Sequence, residues 1–473
     1  MNQIHEARLE LMHLEKQVQD FQAKFFDSRT ALQAQKAKVE TLIRQSAHPI
    51  GRLPVDIFLY IAKLSGLSPL DLMGVSRRWK NVVLQSPSLW TNIRVSPKWS
   101  TQLVEAHVGK SSQLLLDITI HSWRTESRHK GNLFAMLDVL IPHAHRWRSF
   151  VIENDVDGSF IAKISSRINH ITTYPSLTHL SVAQLILQYS SEIQPIQCRK
   201  CPRLEHLELR GRLGPILGNP IPPNLTSLTV VSRIEGCFWF FRYSYLAQFQ
   251  QLTTLSLSGA TTGMELEPNS IHFPVLEKFV CQVWDPKVLL QAIVAPTLGH
   301  FEYVYLNVLR SEITKPDPFE GYDSKLQNVA SVVLRSSGWD AKSIWSTFSA
   351  ARHVNLTMEH MVRALQQEDV LRTALHWKYL ESLTVHNLYC QSSLRRLVAW
   401  LEERYNIGRP KLRVKLMSID QGLVQEFHDA LHEHCILEWN ISVCIDLFSA
   451  GGQQWAVCTF SLSFRTSTLT LLA

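Results

Sequence analysis

The sequence predicts an α/β chain built in series: an N-terminal coiled-coil helix over residues 1–48, a small helical module over 49–95, and an irregular solenoid over 110–440. The solenoid is read as short parallel strands with helices and loops on its convex side. Three observations carry this. Apolar residues recur every seven positions in the first segment, helical apolar faces crowd the second, and a leucine-led strand pattern returns at intervals of 21 to 27 residues in the third.

In the first segment Ile4, Leu11, Val18, Phe25, Leu32 and Val39 repeat with a period of seven, and Ala7, Leu14, Phe21 and Leu42 occupy four of the accompanying d positions. Ser28 and Gln35 hold the other two d positions, which leaves register and strand number open. Glu6, Arg8, Glu10, Lys16, Lys36 and Lys38 fit a solvated helix surface. A helix with such a stripe needs a partner, so self-association through residues 1–48 is expected, against the alternative of a helix folded back on the body of the protein.

Residues 49–95 begin with Leu53-Pro54, and proline suits the first turn of a helix because its missing N–H leaves no bond unmade. Ile57, Phe58 and Ile61 follow at helical spacing. A second helical segment is expected from Ser68, with Pro69 just inside its start, Leu70, Leu72, Met73 and Val75 as its apolar face, and Arg77-Arg78-Trp79-Lys80 as its end. Gly74 weakens that segment. Ser86 to Trp90 close the module with a tryptophan.

The LP pair, the aliphatic-aromatic run to Ile61, the SP-x-DL at 68–72, the RRW at 77–79 and the PSLW at 87–90 together resemble the F-box, the domain that fastens substrate receptors to the Skp adaptor of Skp/cullin/F-box ubiquitin ligases. The resemblance implies adaptor docking through Leu53, Pro54, Ile57, Phe58, Ile61, Leu72, Val75 and Trp79, with Trp90 supporting the module. The interval from Asp71 to Trp79 is about one helical turn shorter than the family's. The alternative implied by that departure is a non-catalytic interaction scaffold with a degenerate F-box.

The third segment changes character near Ser111, where QLLLDITI reads as a strand. The repeats are led by Leu177, Leu204, Leu225, Leu252, Leu276, Leu298 and Leu380, with weaker copies at LQNVASVVL and FSAARHVNLT and a last one around Leu412. The intervals match leucine-rich repeats, whose units bury their apolar face only when stacked. The Asn or Cys that ties down the turn in such repeats is missing from most copies, so an irregular arc is expected. Coil, box and irregular repeats together resemble the F-box protein families of mushroom-forming fungi, and that resemblance makes the repeat region the receptor for an unknown target protein.

Strand alternation places the receptor face. With the leucines inward, His179, His206, Glu208, Arg210, Lys278, His300, Glu302, Thr384 and His386 point to the concave side. Both charge signs, hydroxyls and imidazoles meet there, a mixture suited to protein recognition and equally to any solvated sheet.

Composition excludes several classes. A formal charge of +7 spread over 473 residues offers no basic tract for nucleic acid. No apolar run reaches the ~18 residues of a membrane span, and no secretory leader is visible, so an intracellular protein, cytoplasmic and/or nuclear, is expected. The eight cysteines fit buried hydrophobes in a reducing compartment. Cys198 and Cys201 form a CxxC without a second pair, and His428, His432 and His434 lie on the solvated side of a helix whose buried stripe is Leu423, Phe427, Leu431 and Cys435. No catalytic residue, metal or cofactor is expected. Residues 441–473 read either as a terminal strand pair turning at Gly451-Gly452 or as an unpacked tail.

Overall fold

Forty-five residues without proline or glycine, Asn2–Ser46, form one continuous helix, α1, about 67 Å long. The computed structural model describes residues 2–46, 53–124, 132–183, 200–210, 222–231, 243–259, 266–283, 286–304, 319, 321–335, 344–357, 377–388, 391–419, 421–442 and 461–464. The chain divides into two units, Met1–Leu89 and Trp90–Ala473. Among the described residues no helix is long and apolar enough to cross a membrane.

Beyond α1, the first unit holds three short helices. Val55–Ser65 (α2) ends at Gly66, whose φ of +65° is the left-handed cap that glycine adopts without strain. Pro69–Val75 (α3) opens on a reciprocal cap: Ser68 Oγ accepts the Asp71 N–H at 3.2 Å, and Asp71 Oδ2 accepts the Ser68 N–H at 3.3 Å. Arg77–Leu84 (α4) follows at once. The expected single helix from Ser68 to Lys80 is therefore corrected to two. Ser76 sits in extended backbone and its hydroxyl accepts the Trp79 N–H at 3.2 Å, so the basic-aromatic cluster opens α4 instead of closing α3.

The second unit is a fifteen-stranded sheet among the described residues. Its strands are β1 (Asn92–Val95), β2 (Leu116–Ile120), β3 (Trp147–Ile152), β4 (His179–Ala183), β5 (His206–Arg210), β6 (Ser227–Val231), β7 (Thr254–Gly259), β9 (Lys278–Val283), β11 (His300–Val304), β12 (Ser331–Arg335), β13 (His353–Thr357), β14 (Ser382–Leu388), β15 (Leu412–Ile419), β16 (Cys435–Ser442) and β17 (Ser461–Phe464). Neighbours in the sheet follow chain order and pair in parallel, except β17, which runs antiparallel to β16. The short pair β8 (Ile271–His272) and β10 (Ile293–Val294) stands apart. An α/β chain with a long N-terminal helix and a sequential parallel sheet is compatible with a repeat solenoid.

Two sequence boundaries move. The sheet starts at Asn92, well before residue 110, and takes in residues 92–95, which the sequence pattern gives to the helical module. At the other end β16 begins at Cys435, ahead of residue 441; residues 443–460, with the Gly451-Gly452 turn, lie outside the described residues, as does Cys198.

One face of the sheet carries the core. Leu180, Leu207, Leu228, Leu255, Phe279, Phe301, Val332, Val354, Leu383 and Val414 stand in register and are buried with Ile161, Leu289, Leu394 and Trp400 from helices. Each such side chain contributes roughly 1.5–3 kcal/mol through burial.

Two devices tie successive strands together. At strand entrances, consecutive N–H groups converge on one carbonyl of the preceding repeat, as in Glu205 and His206 on Thr178, Thr226 and Ser227 on Glu205, and Glu381 and Ser382 on Arg352. Long cations reach back along the sheet and donate to backbone carbonyls: Lys200 Nζ to Asn169 and Ile171, Lys325 Nζ to Leu290, Gln291 and Ile293, and Arg404, in a buried setting, to Trp377 and Leu380 at 3.1 and 3.0 Å. Burial pulls the pKa of Lys325 and Arg404 below their ordinary values; the carbonyls take up the Lys325 ammonium and both Arg404 Nη groups, while Arg404 Nε is buried without a hydrogen bond.

Candidate interaction surfaces

The helical module sorts its apolar side chains in two directions. Phe58 and Ala62 of α2, Pro69 and Leu72 of α3, Val83 of α4 and Leu89 are buried, with the Phe58 and Trp79 rings edge-to-face at 4.6 Å. Ile57, Ile61 and Leu64, on another side of α2, are 47%, 46% and 70% exposed. Tyr60, Leu67, Leu70 and Val75 are exposed as well. The two directions follow from helical spacing: Phe58 and Ala62 are four apart, and Ile57, Ile61 and Leu64 follow at four and three.

The Leu53-Pro54 pair is fixed to this frame. Arg78 Nη2 donates to the Leu53 carbonyl at 2.9 Å, and the Phe58 N–H donates to the Pro54 carbonyl at 3.0 Å, the first helical bond of α2. Leu53, Val55, Phe58, Arg78, Trp79 and Val82 line a shallow dimple. The structure thus divides the residues expected to dock. Pro54, Ile57, Ile61 and Val75 are exposed, Leu53 and Trp79 are half-buried, and Phe58 and Leu72 are buried core residues. Trp90 belongs to the second unit, where it is buried and its ring lies 5.0 Å from that of His107.

On the sheet, register gathers the expected receptor residues on the face opposite the leucines. One row runs Asp117, Ser149, His179, His206, Ser227, Thr254, Lys278, His300, Ser331, His353, Ser382 and Arg413. The next includes Ser181, Glu208, Thr229, Ser256, Glu302, Asn355, Thr384 and Lys415. Arg210 pairs with Ala183 and His386 with Thr357 and Met417 one step further along. Lys278 and His206 are exposed, whereas His179, His300, Glu302, Thr384 and His386 are half-buried among their neighbours.

Cross-strand hydrogen bonds hold much of this face. Ser181 Oγ donates to Glu208 at 2.8 Å across β4 and β5, and Arg148 pairs with Asp117 across β3 and β2; within β5 itself, Arg210 Nε donates to the Glu208 carboxylate at 2.6 Å. His300 Nδ1 meets Ser331 Oγ at 2.9 Å, and His353 Nδ1 meets Ser382 Oγ at 2.8 Å. The His179 and His206 rings lie 6.0 Å apart; burial and then the nearby His206 lower the pKa of His179, against the pull of Glu208 and Asp117. Burial lowers His300 and His386 too, helped by Lys278 in one case and by Arg335 and Lys415 in the other. At neutral pH His179, His300 and His386 are therefore uncharged.

Sequence spacing missed Asp117, Ser149, Ser331, His353, Asn355, Arg413 and Lys415 as members of this face. They lie on the first strands and on the weaker copies of the repeat, where only strand alternation, as in LDITI, SVVLR, HVNLT and LRVKLMSI, signals them.

Among the described residues one cluster has metal-ligand chemistry: donor atoms of His121, Glu153 and Asp155 lie within 4.8 Å of one another. Its carboxylates are partly engaged, with Asp155 Oδ1 buried and without a hydrogen bond. Ser122 Oγ donates to Asp155 at 2.8 Å and Arg94 sits 3.7 Å from Glu153. Burial opposes ionisation of Asp155, but the hydrogen bonds from Ser122 outweigh it and hold its carboxyl below the ordinary value. The His428 and His432 rings lie 4.4 Å apart, tilted at 54°, on the helix Gln421–His434, whose Leu431 is buried, and His428 faces Asp429 at 3.3 Å.

Compared with known proteins, the chain matches no family model and no curated protein. Geometry therefore defines the class: a helical module with an outward apolar face, and a sequential parallel sheet with an outward polar face.

Proposed function

We propose that this protein is a substrate-recognition adaptor of a Skp/cullin/F-box-type ubiquitin ligase. The module around α2 to α4 docks the Skp adaptor, and the sheet, read as irregular leucine-rich repeats, presents a target protein. Ubiquitin transfer is catalysed by other subunits; this chain contributes proximity, replacing a bimolecular encounter by one on a shared frame.

The observation that carries the reading is the outward apolar face of α2. Ile57, Ile61 and Leu64 stay exposed on a module that buries Phe58, Ala62 and Leu72, as expected of a surface kept for a partner. The polar, hydrogen-bonded sheet face supports the target-binding half of the proposal.

Co-purification with a Skp-type adaptor tests it, comparing the intact chain with an Ile57→Ser/Ile61→Ser variant. Both positions are exposed, so the variant keeps its fold, and one-to-one binding by the intact chain with loss in the variant is the expected result. No binding by the intact chain, where an authentic F-box domain binds, would select the scaffold alternative. The seven-residue length of α3 is the observation that favours that alternative.

A further inference from the structure

Helix α1 shows its heptad stripe over residues 4–39. Ile4, Leu11, Val18, Phe25, Leu32 and Val39 are 45% to 66% exposed, and Leu14 and Phe21 of the d positions are exposed with them. A stripe of this length in water calls for a partner helix. The charges flanking it say which partner, and in which direction.

The two halves of α1 differ in sign. Residues 2–23 carry Glu6, Glu10, Glu15 and Asp20 against Arg8 and Lys16, a net −2; residues 24–46 carry Lys24, Arg29, Lys36, Lys38 and Arg44 against Asp27 and Glu40, a net +3. In a parallel pair, g and e positions five residues apart meet across the seam, so Glu10 faces Glu15 and Lys24 faces Arg29, and no opposite charges meet at these positions. Parallel pairing in register also sets Ser28 against Ser28 and Gln35 against Gln35, two wholly polar layers.

Reversing one helix repairs both defects. With Phe21 of one copy opposite Phe25 of the other, Leu14 meets Leu32, Ala7 meets Val39, Leu11 covers Gln35 and Val18 covers Ser28. Glu10 then lies beside Lys38 and Glu15 beside Arg29, each twice in the symmetric pair. Arg8 near Lys36, and Lys24 near its own copy, are like-charge contacts that remain at the flanking positions. We propose that α1 pairs with α1 of a second copy of this chain as an antiparallel two-stranded coiled coil, making the protein a dimer with its two modules at opposite ends of that coil. This does not depend on what the modules bind.

Sedimentation and light scattering on the full chain test the proposal. The wild type is expected at twice the chain mass. An Arg29→Glu/Lys38→Glu variant should weaken the dimer by more than about tenfold, and adding Glu10→Lys/Glu15→Lys should restore it. Unchanged helicity by circular dichroism keeps the reading tied to pairing. A monomeric wild type at micromolar concentration overturns self-association, and a trimer or tetramer overturns the two-stranded coil. Tighter association of the Arg29→Glu/Lys38→Glu variant overturns the antiparallel direction, because in a parallel coil the first change turns the Lys24–Arg29 repulsion into attraction.

Discussion

The helical module and the sheet handle apolar side chains in opposite ways. The sheet turns its leucines inward and shows hydroxyls, imidazoles and ion pairs, whereas α2 shows Ile57, Ile61 and Leu64 and keeps only a narrow core around Phe58 and Leu72. Size explains part of the contrast. A stacked sheet gives every interior strand two neighbours to bury against, while three short helices enclose little volume and leave apolar surface uncovered. The comparison teaches that exposed apolar residues on the module and exposed polar residues on the sheet are both candidate contact groups, and that removing either should leave folding intact.

The sharpest test of the contrast is to attack the cores. Phe301 is fully buried against Phe279, Phe319 and Phe348, and Phe301→Ala should cost about 3–5 kcal/mol in urea unfolding followed by far-ultraviolet circular dichroism. In the module, Phe58→Ala should cost slightly less, about 3 kcal/mol, and Ile57→Ser less than about 0.5 kcal/mol. Equal costs for Phe58→Ala and Ile57→Ser would break the division of α2 into buried and exposed sides.

Arg404→Met comes next. It removes the Arg404 donors from the Trp377 and Leu380 carbonyls, of which Trp377 keeps the Leu380 N–H at 3.4 Å, and a loss of about 1–3 kcal/mol is expected in the same measurement. A neutral result would show that the backward-reaching cation is incidental to repeat stacking.

Acid should weaken the sheet and spare the module, which has no histidine among its described residues 53–89. The pKa values of His107, His179, His300 and His386 are lowered in the folded state, burial being the largest cause in each. The unfolded chain then binds protons first, so the stability these groups contribute is full above their unfolded pKa of about 6.5 and is lost as pH falls through their folded values. Thermal unfolding between pH 7.5 and 5.5 should show this decline, and His107→Gln should flatten it. His107 is buried between Trp90 and Trp99, its Nδ1 donating to the Trp90 carbonyl at 3.2 Å.

The smallest effect is a gain. Gly74 sits in α3 with open space where a Cβ would go, so Gly74→Ala should stabilise the module by up to about 1 kcal/mol. If adaptor binding strengthens with it, fraying of α3 limits docking.

Much of the fold is legible in the residues themselves. Leu204, Leu207 and Leu209 announce a strand and its buried side, because alternation on a strand is a local property. The break at Ser76 is not legible in the same way: SPLDLMGVSRRW reads as one helix until the Ser76 hydroxyl is seen to take the Trp79 N–H. Strand β1 was hidden because NIRV carries no leading leucine and owes its place to pairing with Leu116–Ile120. Lys200, Lys325 and Arg404 could not be read as repeat clamps, since a cation in sequence signals surface until the carbonyls it reaches are known.

By itself the sequence determined the heptad helix with its acidic and basic halves, the placement of the LP-led helical segments, and the repeating strands with their inward leucines. All of these follow from short-range periodicity. Only the tertiary structure decided which of two adjacent apolar residues, Ile57 or Phe58, faces outward, where the sheet begins, and which imidazoles share a register row. Burial and cross-strand neighbours are set by how elements far apart in the chain pack together, and no local pattern contains that information.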